Sequence, residues 1–210
     1  MAKQARGQAT RELILQAAGT VFSVQTYAQA TLGDVLREAG VTQGALYFHF
    51  DSKKALAQEV IDRQHQLFIE SGRALLDSPT RGLPAMILLC KQLASQITTV
   101  PLIRAGLRLS TESADVFAET ARQPYQDWID TCETLIAQAI TEGDIDPKHD
   151  TARLAAFVIA SFTGVQLLSQ ARTQWCDIFD RLEEMWEILL PGLTPQEHHP
   201  HLDIASLIHS

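Results

Sequence analysis

The run Thr31 to Phe50, TLGDVLREAGVTQGALYFHF, leaves the chain less freedom than any other stretch. Thr31 is placed to cap a helix whose apolar residues Leu32, Val35, Leu36 and Ala39 recur at i, i+3, i+4 and i+7. Asp34 stands at the third helical position, where a capping-box acid belongs. Gly40 ends that helix, since glycine takes the left-handed conformation after a helix at no steric cost. Val41 can tuck between the two helices, and Thr42 caps a second helix over Gln43 to Phe48. Two short helices joined by a tight turn form a helix-turn-helix.

The second helix is too short and too polar on one side to be chiefly a core element. With Ala45 and Leu46 turned inward, Gln43, Gly44 and Tyr47 share the outer face. They offer an amide for a base edge, a position with no side chain to block close approach, and a phenol for phosphate. The spacing, both caps and the flanking basic residues together favour this reading over a turn in an ordinary helical bundle.

Charge is divided unevenly. The chain carries a formal −8, yet residues 1–54 hold six Lys and Arg against four Asp and Glu, a surplus of +2 that leaves −10 for the rest. The phosphate-facing end is therefore N-terminal, and the acidic remainder favours one docking orientation. Residues 1–9 read as a mobile arm from which Lys3 and Arg6 reach phosphates or an adjacent minor groove, a solvated terminus being the other reading. Thr10 to Val24 follows as a helix with a stripe of Leu13, Ile14, Ala17, Ala18, Val21 and Phe22. Its Arg11 either touches phosphate or is simply solvated. Beyond Phe50, Ser52 caps a helix opening with Lys53 and Lys54, which brings two ammonium groups to a positive dipole end and suits a phosphate.

That fourth helix runs to about Ser71, and Gln64 lies in the apolar row of Leu56 or Ala57, Val60, Ile61, Leu67 and Phe68. A buried glutamine needs partners, supplied by another side chain or by a ligand. A loop over Asp77 to Leu83 precedes a helix from Pro84 to Thr99 with Ile87, Leu88, Leu89, Leu93 and Ile97 on its apolar face, and Pro101 starts a short helix. Thr111 to Arg122 turns polar and reads as a helix end and loop; Pro124 opens the next helix, which carries Trp128, Cys132, Leu135 and Ile136 and stops at Gly143. Thr151 to Gln170 is apolar almost all round, implying burial on two sides, one against the domain core and one against another molecule or helix, and Asp177 to Leu190 is the last strong helix. This pair reads as half of an intermolecular four-helix bundle. The tail holds His198, His199 and His201 without a carboxylate or thiol at fixed spacing, so no metal is expected there.

At 210 residues and 46% apolar content, the chain can bury a core without staples. Cys90, Cys132 and Cys176, odd in number and in apolar helical surroundings, read as buried thiols in a reducing compartment rather than a redox or metal site. The N-terminus lacks an apolar signal region, and the apolar stretches Leu83 to Cys90 and Leu154 to Leu168 read as too short or too interrupted to span a bilayer, which predicts a cytoplasmic protein with no membrane partner. No nucleophile with an oriented base, carboxylate pair, metal-ligand motif or glycine-rich phosphate loop is visible, so neither catalysis nor a cofactor is expected.

The run T-L-x-x-V-L-x-x-A-G-V-T-x-G-A-L-Y-F-H-F, followed by Asp51, Ser52, Lys53, Lys54, Ala55 and Leu56, resembles the DNA-binding signature of TetR-type transcriptional repressors. The resemblance implies an all-α homodimer: a helix-turn-helix domain over 1–52, a helical ligand-binding and dimerisation domain over 53–191, and a tail over 192–210. The segments Arg104 to Ser110, Pro124 to Trp128 and Ser161 to Gln170 are similar to the γ-butyrolactone receptor branch. In that branch a diffusible butyrolactone, butenolide or furan hormone releases the repressor from promoters of antibiotic-biosynthesis genes. Carried to this chain, the resemblance implies a pseudo-palindromic double-stranded operator contacted by Thr31, Thr42, Gln43, Gly44, Tyr47, His49, Lys53 and Lys54, with Lys3 and Arg6 from the arm. It implies a ligand pocket holding Trp128, whose other reading is plain core packing, with Gln64, Ser161, Phe162, Val165, Leu88 and Leu109. Gln43 stands where a lysine is common in the branch, and Ser161 where a threonine is common. The alternative effector is a lipophilic drug or an end-product antibiotic.

Overall fold

The apolar stripes of the sequence fold as helices. A computed structural model describes residues 2–112, 114–195 and 202–209, and among them there are ten helices and no strand. In order they are α1 (Ala2–Val24), α2 (Leu32–Ala39), α3 (Gln43–His49), α4 (Lys53–Leu76), α5 (Gly82–Thr99), α6 (Pro101–Glu112), α7 (Ala114–Thr141), α8 (Thr151–Thr173), α9 (Ile178–Leu193) and α10 (Ile204–His209).

The chain divides into two compact units, Met1–Leu67 with Thr99–Pro124, and Phe68–Thr98 with Tyr125–Ser210. This differs from the division at residue 52 read from the sequence, and the reason is core size. One longer helix and two short ones bury little by themselves. In the first unit Ile14, Leu15, Ala18 and Phe22 of α1 and Leu46 of α3 share one core with Leu56, Val60 and Ile61 of α4 and Leu102, Ala105 and Leu109 of α6. The approach of α4 to α6 is tight: a Cβ at Gly106 would fall 2.5 Å from Gln64 Cβ, so only glycine fits without a shift.

Two expectations are corrected in this unit. Residues 2–9 are not a mobile arm but the first turns of α1. Ala2, Lys3, Gln4, Ala5, Arg6, Gln8 and Ala9 are good helix formers, and Thr10 Oγ1 donates to the Arg6 carbonyl at 3.0 Å. Nor is the polar stretch after Thr111 a loop: α7 begins at Ala114 and breaks its helical geometry only at Phe117 (φ −123°, ψ 19°). Phe117 is 1% exposed and meets Tyr27 edge-on at 5.2 Å, an apolar anchor that holds the segment to the core.

The second unit has its own core, with Met86, Ile87, Cys90 and Leu93 of α5, Leu135 and Ile136 of α7, Val158 and Phe162 of α8, and Leu182 and Trp186 of α9. Arg81 clamps the α7–α8 connection through Asp144, with Nη2 to Oδ1 at 2.6 Å and Nε to Oδ2 at 3.0 Å. Asp150 caps α8 through the Arg153 amide. At the other end of α8, Asp177 accepts from Ser169 Oγ, Thr173 Oγ1 and Arg181 Nε, each at 2.6 Å. Gln174 and Trp175 between them take left-handed φ of 53° and 65°. Cys176 lies in this turn and is exposed, unlike the buried Cys90 and Cys132, which corrects the reading of three buried thiols.

α8 is not buried on both sides within this chain. Leu154, Ala155, Val158, Ile159 and Phe162 are covered, whereas Phe157 is 54% exposed, Leu167 47% and Leu168 46%. Its length and its mean hydropathy of 1.5 meet the requirement for crossing a bilayer, so the reading that this stretch is too short or too interrupted is corrected. The segment after α9 includes α10, which buries Ile208 and sets His209 Nε2 2.8 Å from Glu183 Oε2. His198, His199 and His201 lie outside the described residues.

Candidate nucleic-acid interface and effector site

The helix-turn-helix closes through the groups read from the sequence. Asp34 N donates to Thr31 Oγ1 at 3.1 Å while Thr31 N donates to Asp34 Oδ2 at 2.9 Å, a complete capping box. The hydrogen bonds from Thr31, side chain first, hold the Asp34 carboxyl below the usual carboxylate range. Gly40 sits at φ 63°, and its N–H returns to the Leu36 carbonyl. Thr42 Oγ1 accepts from Ala45 N at 3.3 Å, and Phe50 N closes the far end of α3 on Leu46 O at 2.9 Å. Leu46 is 0% exposed and fixes the rotation of α3 about its axis.

With Leu46 inward, the outward ridge of α3 is Gln43, Gly44, Tyr47 and Phe48, while His49 is half-buried. A Cβ at Gly44 would meet nothing within 4 Å, so the helix backbone is bare there. The sequence reading did not single out Phe48, which the structure turns outward at 82% exposure. Its place four residues after Gly44 was the available signal, since i and i+4 share a helix face. An open groove of about 1300 Å³ lies beside it, with Arg6, Gln8 and Thr10 of α1 on one wall and Phe48 and His49 on the other.

The basic residues differ in availability. Arg6 and Lys54 are exposed, and the side chain of Lys3 lies outside the described residues. Lys53 folds its ammonium over the Tyr27 ring at 4.4 Å, and burial lowers its pKa. Arg11 is not merely solvated: it pairs with Glu59 Oε1 at 2.7 Å and lies 5.2 Å over the Phe50 ring. Ser52 caps α4 as read, accepting from Ala55 N at 3.1 Å.

The residues read as a ligand pocket fall in both units. Gln64 and Leu109 belong to the first, each 2% exposed, with Gln64 Nε2 buried and unbonded among the described residues. Leu88, Trp128, Ser161, Phe162 and Val165 belong to the second. Trp128 is buried against Phe68 at 4.9 Å and Tyr125 at 5.2 Å, and its Nε1 is a buried donor without an acceptor among the described residues. Gln166 Nε2 is in the same condition. Such orphaned donors are costly, and they are satisfied if something brings oxygen atoms to them. Phe162 is buried, and Leu88 and Val165 are half-buried. Ser161 is half-buried and donates to its own helix at Phe157 O, 2.8 Å away. The α8 hydroxyl bonded to Tyr125 is Thr163, although burial raises the Tyr125 pKa overall. Cys132 Sγ lies 3.5 Å from Met86 Sδ, and burial pushes its thiol up to about 12.

Residues 14–60 match the family model described as bacterial regulatory proteins, tetR family, and residues 80–195 match a tetracyclin repressor-like C-terminal domain. The A-factor receptor protein of Streptomyces griseus is 36% identical over 92% of this chain and 67% of that protein. A solved γ-butyrolactone receptor, described as ArpA-like, superposes with a TM-score of 0.80 at 28% identity, covering 97% of this chain and 96% of that one. CprB of Streptomyces coelicolor, a TetR-family protein solved with its biological operator sequence, gives 0.76 at 29% identity over 97% and 95% of the two chains.

Proposed function

From the fact that the chain belongs to the TetR family of bacterial regulatory proteins, a family of DNA-binding regulators and not of enzymes, we propose a homodimeric transcriptional repressor that a small diffusible lactone-type signal releases from its operator. The observation that carries the DNA half is α3, capped at Thr42, rotated by buried Leu46, and turning Gln43, Gly44 and Tyr47 outward. Gln43 carries an amide suited to adenine N6 and N7, and Gly44 lets the helix sit close to the base edges. Tyr47, Thr42, His49 and exposed Lys54 supply phosphate contacts that fix register without reading sequence. Lys53, swung from Tyr27, adds another, and exposed Arg6 reaches phosphate beyond α3. Thr31 acts chiefly as the cap that holds α2.

Dimerisation falls to the uncovered faces of α8 and α9, where Phe157, Leu167, Leu168 and Ile188 (78% exposed) stand in solvent. A two-fold dimer presents two copies of α3 to half-sites about one helical turn apart, which calls for a pseudo-palindromic operator. The effector is accepted in the second unit, where Trp128 offers a flat ring and an unmet N–H donor. A lactone or furan carboxylate brings an acceptor oxygen and an apolar tail, the complement of that site. Because α4 is continuous from Lys53 to Leu76, a small change in its tilt spoils half-site spacing. The protein works in the cytoplasm, where operator DNA is.

The test is a gel-shift on the DNA upstream of the protein's own gene, with and without a γ-butyrolactone or an extract of the producing culture. Binding abolished by the lactone supports the proposal. Release only by hydrophobic drugs reassigns the effector, and indifference to every addition removes the ligand half.

A further inference from the structure

We propose that Phe48 reads the 5-methyl group of a thymine in the major groove of each operator half-site. The inference rests on α3 being the reading helix. Phe48 is 82% exposed, more than any other large apolar side chain among the described residues. It does not stand on a loose segment. α3 is fixed by the Thr42 cap, by Leu46 at 0% exposure and by Phe50 at 4%, so the ring is held on the outward ridge one turn beyond bare Gly44. The ring meets His49 edge-on at 5.0 Å, and much of the phenyl surface stays uncovered.

The occupant follows from chemistry. A phenyl ring forms no hydrogen bond with the donors and acceptors that the bases present, and the one apolar group in the major groove is the thymine methyl. The wall facing Phe48 carries the exposed Arg6, Gln8 and Glu12 of α1, a polar and charged flank poorly suited to an apolar protein face, with Arg6 the group on it that suits a phosphate. The surface is also continuous with Gln43, Gly44 and Tyr47. Phe48 thereby selects an A·T pair by shape and apolar contact, beside a Gln43 that selects by hydrogen bonding.

The test uses the full-length protein and a duplex that it selects from random-sequence DNA. Each thymine of the half-site is replaced in turn by deoxyuridine, which removes the methyl and leaves the pairing intact. For the wild type, one thymine per half-site weakens binding by about fourfold when demethylated, the scale of one buried methyl. Phe48→Ala binds the thymine and deoxyuridine duplexes alike, and Phe48→Leu retains part of the discrimination. Circular dichroism of the variants matches the wild type, since the ring is exposed. The proposal is overturned if the wild type ignores every deoxyuridine, if Phe48→Ala keeps the same methyl sensitivity, or if the substitution alters self-association in sedimentation and leaves DNA affinity unchanged. A wild type that selects no DNA removes the reading of α3 itself, and this inference with it.

Discussion

α3 and α8 each leave one side uncovered, and the two sides differ in chemistry and length. α3 turns out seven residues' worth of mixed surface: an amide, a bare backbone, a phenol and one phenyl. α8 runs for 23 residues with no charged side chain between Arg153 and Arg172, and it exposes Phe157, Ala160, Gly164, Leu167 and Leu168. A long uncharged apolar face finds its best complement in another apolar face, and a two-fold copy supplies one. A short polar ridge held by two caps finds its complement in a groove lined with donors and acceptors. Exposure marks both surfaces, and patterning assigns each its partner.

The largest effect should come from breaking α8. A carboxylate at the centre of an apolar interface is desolvated without a partner, so Phe157→Asp should raise the dimer dissociation constant by about 100-fold or more, read by sedimentation velocity. Operator affinity should fall with it, because one reading head engages one half-site. A variant that remains dimeric would move the interface off α8.

Trp128 sharpens the comparison from the effector side. Trp128→Ala should lose the lactone response while keeping operator affinity; removal of so large a buried ring costs about 3–5 kcal/mol of stability, so the melting temperature must be followed alongside. Trp128→Phe preserves most of the ring packing and removes only the unmet donor. It should weaken the response by about tenfold, the scale of one buried hydrogen bond. A response unchanged in Trp128→Phe would show that Nε1 meets no ligand atom.

The reading head was legible in the sequence because its determinants are local. Thr31, Asp34, Gly40 and Thr42 act over three or four residues, so spacing alone places them. The apolar stripes gave the helices for the same reason. What local spacing does not reach was decided at longer range. Residues 114–122 are polar by composition, yet buried Phe117 against Tyr27 holds them helical, a contact across 90 positions that no window reveals. Lys53 rests on the Tyr27 ring and Arg11 is tied to Glu59, contacts that spacing along the chain does not show. The extent of the first unit depended on α6 returning to the α1 core, and Phe48 was passed over because an aromatic on a short helix reads as core until its neighbours are known.

The turn chemistry that supports each surface should be measurable as stability. Gly40→Val forces a branched side chain into a left-handed conformation and should cost about 2 kcal/mol in urea unfolding, against about 1 kcal/mol for Thr42→Ala, which removes one cap. Both changes act on the turn between α2 and α3 and should leave the self-association of α8 untouched. Asp177, at the end of α8, gives the matching control. Hydrogen bonds from Ser169 and Thr173, then Arg181, lower its pKa to about 2. A depressed carboxylate contributes stability that is present above the ordinary carboxylate pKa of about 3.9 and lost as pH falls towards the folded value. Acid unfolding between pH 4 and about 2 should therefore be shallower in Asp177→Asn than in the wild type.

The smallest effect concerns the two lysines at the start of α4. Lys54 is exposed, so its replacement by alanine should remove one phosphate contact per protomer and flatten the slope of log affinity against log salt by about 0.9 for each, equally on all sequences. Lys53 is half-buried over Tyr27, so Lys53→Ala removes a cation–π contact as well as a charge. Its signature should be divided, with a slope change no larger than that of Lys54→Ala and a small loss of stability that Lys54→Ala lacks. A base-selective loss at either position would place that lysine in the groove. A slope change in both with stability unchanged would mean that Lys53 leaves Tyr27 at no cost when DNA arrives.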